Sequence, residues 1–193
     1  MQCADCKQKP KNRCNTEGFD CTGGKLDLAE YSLTENQDFQ NISESLRNIH
    51  GDKLCRLEEI IRFSQTAGYK RLGLAFCIGL AEEAALVARV LKKFFRVESV
   101  CCKMSGLNKD EHDMAKIDPA KFEVACNPIG QAKMLNRAKT DLNIQLGLCL
   151  GHDILLQKYA RAPVTVLAVK DRALANNPLG AVYSSYWRKK LGA

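Results

Sequence analysis

The chain has 193 residues, 46% of them hydrophobic and 26% charged, with a formal net charge of +7 and ten cysteines. That is enough for one ordinary domain with its own core plus a small appendage, which excludes a miniprotein that depends on disulfides. The positive charge is dispersed, clustering only briefly at Lys7 to Arg13, Lys92 to Arg96 and Arg188 to Lys190, so no nucleic-acid-binding stripe is expected.

The most apolar stretch, Leu72 to Leu91, contains Glu82, Glu83 and Arg89 and cannot serve as an uninterrupted membrane span. No secretory signal is read near Met1, and ten cysteines exceed what stability requires, so a reducing cytoplasm is the expected location.

Four cysteines open the chain: Cys3 and Cys6 as a CxxC pair, then Cys14 and Cys21. Phe19 is the only large hydrophobe among them, and so polar a segment cannot offset its own ordering entropy. A four-thiolate metal site is therefore expected there. Gaps of two, seven and six residues fit neither a ribbon of two CxxC knuckles nor a ferredoxin run, which leaves zinc and an iron-sulfur cluster both open.

From about Leu33 to Thr66 apolar residues recur at three- and four-residue steps, at Phe39, Ile42, Leu46 and Ile49 and again from Leu54 to Phe63. Two helices separated by His50-Gly51-Asp52 follow from this, with Cys55 in the core. After Tyr69 short apolar runs alternate with longer amphipathic ones, the pattern of strand-helix units in a parallel sheet. Strands are predicted at Leu72 to Phe76, Val97 to Cys102, Asn143 to Cys149 and Pro163 to Val169. Helices are predicted over Gly79 to Phe94, from Asn127-Pro128, after Gly151-His152-Asp153 and from Asn176-Asn177-Pro178. The fold class is thus α/β, an open, mostly parallel sheet flanked by helices. Three segments are expected: 1–24 cysteine-rich and metal-binding, 25–68 a helical lead-in and 69–193 the α/β domain.

Ligands of open parallel sheets bind at the carboxyl ends of the strands. Cys77, Cys102 and Cys149 stand at such ends and Cys126 at a helix entrance, whereas alternation turns Cys101 away from Cys102. Single cysteines are commonly core residues, but repeated placement at element boundaries points to a shared thiol-lined crevice. A [4Fe–4S] cluster on Cys77, Cys102, Cys126 and Cys149, or on three of them, is the expectation. Lys103, Lys170 and Arg172 are read as binding a small anionic molecule, Lys103 and His152 as catalytic groups with His152 moving protons, and Asp153 as a helix cap.

Taken in order, CADC, AFCIGL, CCK, ACNPIGQAKMLN, GLCLGHD, APVTVLAVKDR and NNP resemble a family of uncharacterised bacterial and archaeal proteins, widespread in anaerobes and described only as metal-binding or of unknown function. The resemblance spans Cys3 to about Pro178 and implies metal binding through Cys3, Cys6, Cys14 and Cys21. The family pattern places a histidine before the final Asn-Pro, where this chain has Asn176.

The leading functional reading is an iron-sulfur protein. It would act in redox or sulfur-transfer chemistry on a small anionic molecule, or in electron transfer with a protein partner. The alternative is a zinc-stabilised binding or sensing module without catalysis. A third reading is a thiol enzyme that pairs Cys149 with His152. No phosphate loop, GxGxxG, HExxH or GxSxG motif occurs. No nucleic acid or membrane is an expected partner, and short sheet edges are compatible with a homodimer.

Overall fold

A computed structural model describes residues 1–192. The chain divides into two compact units, one covering Met1–Glu44 and the other everything from Ser45 onward.

The first unit has little regular structure: the short helix α1 (Arg13–Thr16), turns at Cys3–Asp5 and Ala29–Ser32, and the start of α2 (Thr34–His50). Polar and cation-π contacts give it local order. Arg13 Nε pairs with Glu17 at 2.8 Å while its guanidinium lies 4.3 Å over the Phe19 ring. The Asp20 carboxylate accepts from the Thr22 amide at 2.7 Å, the Thr22 hydroxyl at 2.6 Å and the Gly24 amide at 2.6 Å. Those bonds, led by the Thr22 hydroxyl, hold the Asp20 carboxyl below the ordinary carboxylate range.

Along α2 the half-buried stripe runs through Phe39, Ile42 and Leu46, whereas Ile49 is 73% exposed. Helix α3 (Arg56–Thr66) follows, its first turn tied by the Cys55 amide donating to Glu58 at 2.9 Å. Cys55 is exposed because it occupies the N-cap of α3, so the expected core position is corrected.

The second unit is built on a parallel sheet of β1 (Arg71–Phe76), β2 (Arg96–Cys101), β3 (Leu142–Leu146) and β4 (Val164–Ala168), in the order β2-β1-β3-β4. In register, Leu72 lies opposite Val97 on one side and Leu142 on the other, and Ile144 opposite Thr165. Helices α4 (Ala81–Leu91), α5 (Pro128–Ala138) and α6 (Leu150–Tyr159) connect the strands. The α/β class and the parallel sheet agree with the sequence reading.

Side-chain alternation divides the core. Leu72, Leu74, Leu142, Ile144 and Leu146 pack with Ile60 and Ile61 of α3 and Ala84, Ala88 and Leu91 of α4. On the opposite face Ala75 packs with Ala132 and Leu135 of α5 and Leu156 of α6. Each fully buried leucine contributes about 1.5–3 kcal/mol. The second face also carries the buried Asn143 and Gln145, which accept from Thr140 at 2.8 Å and Gln157 at 3.2 Å. Gly73 makes that possible: a Cβ there would meet Asn143 Oδ1 and come 2.9 Å from Leu135.

Beyond β2, residues 103–127 fold back on themselves through an Asn108–Val124 bridge and an Ala125 amide that donates to the Leu107 carbonyl at 2.7 Å. The Asn127 side chain then accepts from Gly130 at 2.7 Å and starts α5, as predicted. After β4 the chain does not enter a helix at Asn176-Asn177-Pro178. Asn176 adopts φ 61°, and its carboxamide accepts from the Asp171 amide at 3.1 Å, closing a loop. Helices α7 (Gly180–Tyr183) and α8 (Ser185–Leu191) come later. Among the described residues no helix is long and apolar enough to cross a membrane.

Candidate functional site

The strand order creates a reversal point. From β1 the chain crosses to β2 on one side, and from β3 it crosses to β4 on the other, so a crevice opens between the carboxyl ends of β1 and β3. Hydrogen bonds continue past the strand ends. The Cys77 amide donates to Leu146 at 3.1 Å, the Cys102 amide to Phe76 at 2.9 Å and the Gly147 amide to Ala168 at 2.7 Å. Gln131 of α5, with 0% exposure, donates to the carbonyls of Phe76 at 3.2 Å and Val100 at 2.7 Å. The floor of the crevice is therefore fixed by backbone pairing and one buried amide.

Two of the four strand-end thiols meet there. Cys126 Sγ donates to Cys102 Sγ at 3.7 Å, and Cys102 also accepts from the Ile78 amide at 3.3 Å. Burial pushes the Cys102 thiol up to about 12; the Ile78 amide opposes this, while Cys126 and Cys77 add to it. Cys102 is thus a neutral packing group at neutral pH, 1% exposed. Cys101 is half-buried, and its sulfur accepts from the Lys103 amide at 3.4 Å.

Cys149 is in a different setting. It is the half-buried N-cap of α6, with φ −69° and ψ 153°, and Arg172 Nη2 donates to its sulfur at 3.3 Å. The Arg172 guanidinium is pushed above its ordinary value, first by that hydrogen bond and then by the Cys149 charge. His152 occupies the third residue of α6, one turn on and on the same face as the cap. Burial lowers its pKa first, then the Lys103 charge; Asp153 opposes and Arg172 adds a little. The imidazole is therefore neutral at pH 7, able to accept a proton. The Lys103 ammonium is bound to the Val124 carbonyl. Lys170 is half-buried, with Nζ 3.8 Å from the positions a Cβ would take on Gly79 and on Gly147. Asp153 lies in the first turn of α6, where a carboxylate favours the helix dipole.

The metal expectations are overturned. Among the described residues, no group of three or more His, Cys, Asp or Glu side chains is placed to hold a metal ion. In the crevice the physical reason is charge and partnering. Cys102 and Cys126 bond each other, Cys149 is engaged by a guanidinium, and Lys170 brings a second cation where a metal would need anionic ligands. The [4Fe–4S] cluster on Cys77, Cys102, Cys126 and Cys149 is withdrawn, and with it the redox, sulfur-transfer and electron-transfer reading.

Zinc or a cluster on Cys3, Cys6, Cys14 and Cys21 is withdrawn as well, and so is the zinc-stabilised module. Two of the thiols there have backbone partners: Cys21 Sγ donates to the Phe19 carbonyl at 3.8 Å, and backbone amides of Asn12 and then Gln8 lower the Cys6 pKa. Cys21 is pushed up by desolvation and then by the charges of Cys14, Cys6 and Cys3. The local turns around Asp20 and Arg13 supply the order that the sequence reading had assigned to a metal.

Three residues that position the site went unread in the sequence. Gln131 hides in CNPIGQ as a polar residue on the otherwise apolar inner face of α5. Gly79 lies three residues beyond β1, and Gly147, directly after β3 with φ 63°, leaves room for the Leu80 side chain that a Cβ there would strike.

Comparison with known proteins agrees in scope. The uncharacterized protein MJ0455 of Methanocaldococcus jannaschii is 47% identical over 196 residues, covering 99% of this chain and 98% of that one. No solved structure matches the chain at a significant level. Residues 22–167 match the model of a family described as protein of unknown function, DUF1847, and the chain belongs to that family.

Proposed function

We propose that the crevice between the β1 and β3 ends is a thiol-nucleophile centre that acts on a small anionic molecule. Cys149 is the nucleophile and His152 its base. The Arg172 hydrogen bond to the Cys149 sulfur, at the start of α6, carries this reading. A guanidinium beside a thiol and a neutral imidazole one helical turn away provide charge stabilisation and a proton acceptor in one place. In the reaction the thiol proton moves to His152 as sulfur attacks an electrophilic carbon, and His152 returns that proton to the departing group. Lys170 and Arg172 hold the anion, and Lys103 supports the 103–127 segment through Val124.

Cys102 lines the crevice without sharing that role, since it keeps its proton. Ten free cysteines support a reducing compartment, the cytoplasm. The test is timed alkylation of the folded protein with iodoacetamide, read by peptide mass spectrometry. Cys149 should be modified first among the six cysteines from Cys55 onward and Cys102 last. Equal labelling of Cys149 and Cys55, which is exposed and has no cationic partner at its sulfur, would remove the basis for a nucleophile.

A further inference from the structure

The two edges of the sheet are finished differently. Along β4 the Arg56 guanidinium covers the outer side, its Nε donating to the Val166 carbonyl at 3.5 Å and its Nη2 to the Thr165 hydroxyl at 2.8 Å. No such cover lies on β2. There the Arg96 amide donates to the Lys70 carbonyl and the Cys102 amide to the Phe76 carbonyl, both at 2.9 Å, so alternate residues from Arg96 onward bond to β1. Val97, Ser99 and Cys101 therefore turn their amides and carbonyls away from the sheet. The Cys101 carbonyl accepts from the Met104 amide at 3.2 Å, whereas among the described residues nothing bonds the outward backbone of Val97 or Ser99. Ser99 is exposed, and β2 has neither a proline nor a bulge, two devices that blunt an edge.

The side chains of this edge select its partner. Arg96 and Glu98 are exposed, lie on one face of the strand and make no ion pair among the described residues. Opposite signs two residues apart allow the strand to match itself when reversed. With outward bonds available only at odd positions, the two-fold axis of an antiparallel pair of β2 strands can pass at Val97, Glu98 or Ser99. At Glu98 it sets that carboxylate against its own copy. At Ser99 it puts Glu98 opposite Val100 and calls on the Cys101 carbonyl, which Met104 already holds. At Val97 that residue exchanges both of its bonds with its copy, and Arg96 falls opposite the partner's Glu98 twice, at the closely spaced positions where side chains meet.

We propose that β2 pairs with β2 of a second copy of this chain, antiparallel about Val97, so that two four-stranded sheets become one continuous sheet. Phe94, 51% exposed just before β2, adds apolar surface at the junction. Because the paired strands run in opposite directions, the two crevices open at opposite ends of the dimer. The pairing is independent of the chemistry at Cys149.

Sedimentation velocity and light scattering of the full chain, under reducing conditions and at up to about 100 μM, test the association. The variants are Ser99→Pro, Arg96→Glu, Glu98→Arg and the double exchange of Arg96→Glu with Glu98→Arg, each confirmed as folded by its melting curve. Ser99→Pro removes an amide that β1 does not use, and the charge variants change only exposed side chains. The wild type should be a dimer. Ser99→Pro and each single charge variant should raise the dimer Kd by about tenfold or more, and the double exchange should return it to within about threefold of wild type.

A wild type that stays monomeric overturns the proposal, and so does a dimer that survives Ser99→Pro. Pairing about Val97 is equally overturned by a dimer indifferent to the single charge variants, or by a double exchange that associates as weakly as they do.

Discussion

The four cysteines before Glu44 and the four at the strand ends look alike in the sequence, as sets of thiols awaiting a shared partner. Their surroundings differ in kind. Cys3, Cys14 and Cys21 are exposed on a segment shaped by its own side chains, Asp20 and Arg13 above all. Cys77, Cys102, Cys126 and Cys149 are held by a parallel sheet whose pairing extends to the residues beside them. The thiols of the first set lie within one short segment of chain, whereas a thiol in the second is placed by residues distant in sequence. Cysteine spacing therefore says little about chemistry until the elements carrying the thiols are known.

The contrast predicts unequal sensitivity to substitution. Gly73→Ala should have the largest effect, about 1–3 kcal/mol of stability by overpacking against Asn143 and Leu135, measured by urea unfolding. Gly23→Ala in the first unit meets nothing within 4 Å and carries only its φ of 64°, for a cost of about 1 kcal/mol. Equal costs would undo the contrast.

At the crevice, Arg172→Met should slow alkylation of Cys149 by iodoacetate by about tenfold. The neutral iodoacetamide should lose less, because only iodoacetate loses an anion-binding cation as well. An identical loss with both reagents would show that the guanidinium serves the sulfur but not the anion.

A smaller effect concerns pH. The His152 pKa is lowered in the folded protein from the ordinary 6.5, so the unfolded chain binds more protons just below that value. Stability should therefore fall as pH drops from about 6.5 toward the lower folded value. His152→Gln should flatten that part of a stability-against-pH curve, and an unchanged slope would place the imidazole in solvent.

The smallest change is expected from replacing Cys3, Cys6, Cys14 and Cys21 together by serine. With no metal to lose, melting should move by no more than about 2 °C, and a chelator should move it no further. A drop of several degrees on chelation would show that these thiols do hold a metal.

Hydrophobic alternation made the sheet and its flanking helices legible, because Leu72 and Leu74, or Leu142, Ile144 and Leu146, must share one face wherever the strand lies. The same reasoning placed Cys77, Cys102, Cys126 and Cys149 at strand ends and helix entrances. It could not tell which sulfur would face which partner. That Arg172 reaches Cys149, and that Cys126 reaches Cys102 across 24 residues, depends on loop geometry with no periodicity in it. The metal expectation failed at a definable point. It treated the polarity of residues 1–24 as incapable of local order, when an aspartate two residues before a threonine and four before a glycine, and an arginine six before a phenylalanine, already specify turns. Asn176-Asn177-Pro178 misled for a related reason, since asparagine tolerates a left-handed backbone as readily as it caps a helix.

The strand order also bears on how the chain is made. β1 is central and pairs with β2 soon after it, but its other edge waits for β3, about 70 residues downstream. At a ribosomal pace of about 5–20 residues per second, that edge stays open for roughly 4–14 s, with Leu72 and Leu74 not yet covered. The apolar helix α4 emerges within that interval and can shield one face, but the edge itself has nothing to bond until Leu142–Leu146 arrives. Nascent chains of this protein therefore pass through a sticky half-sheet, and truncations that end before β3 should accumulate as aggregates.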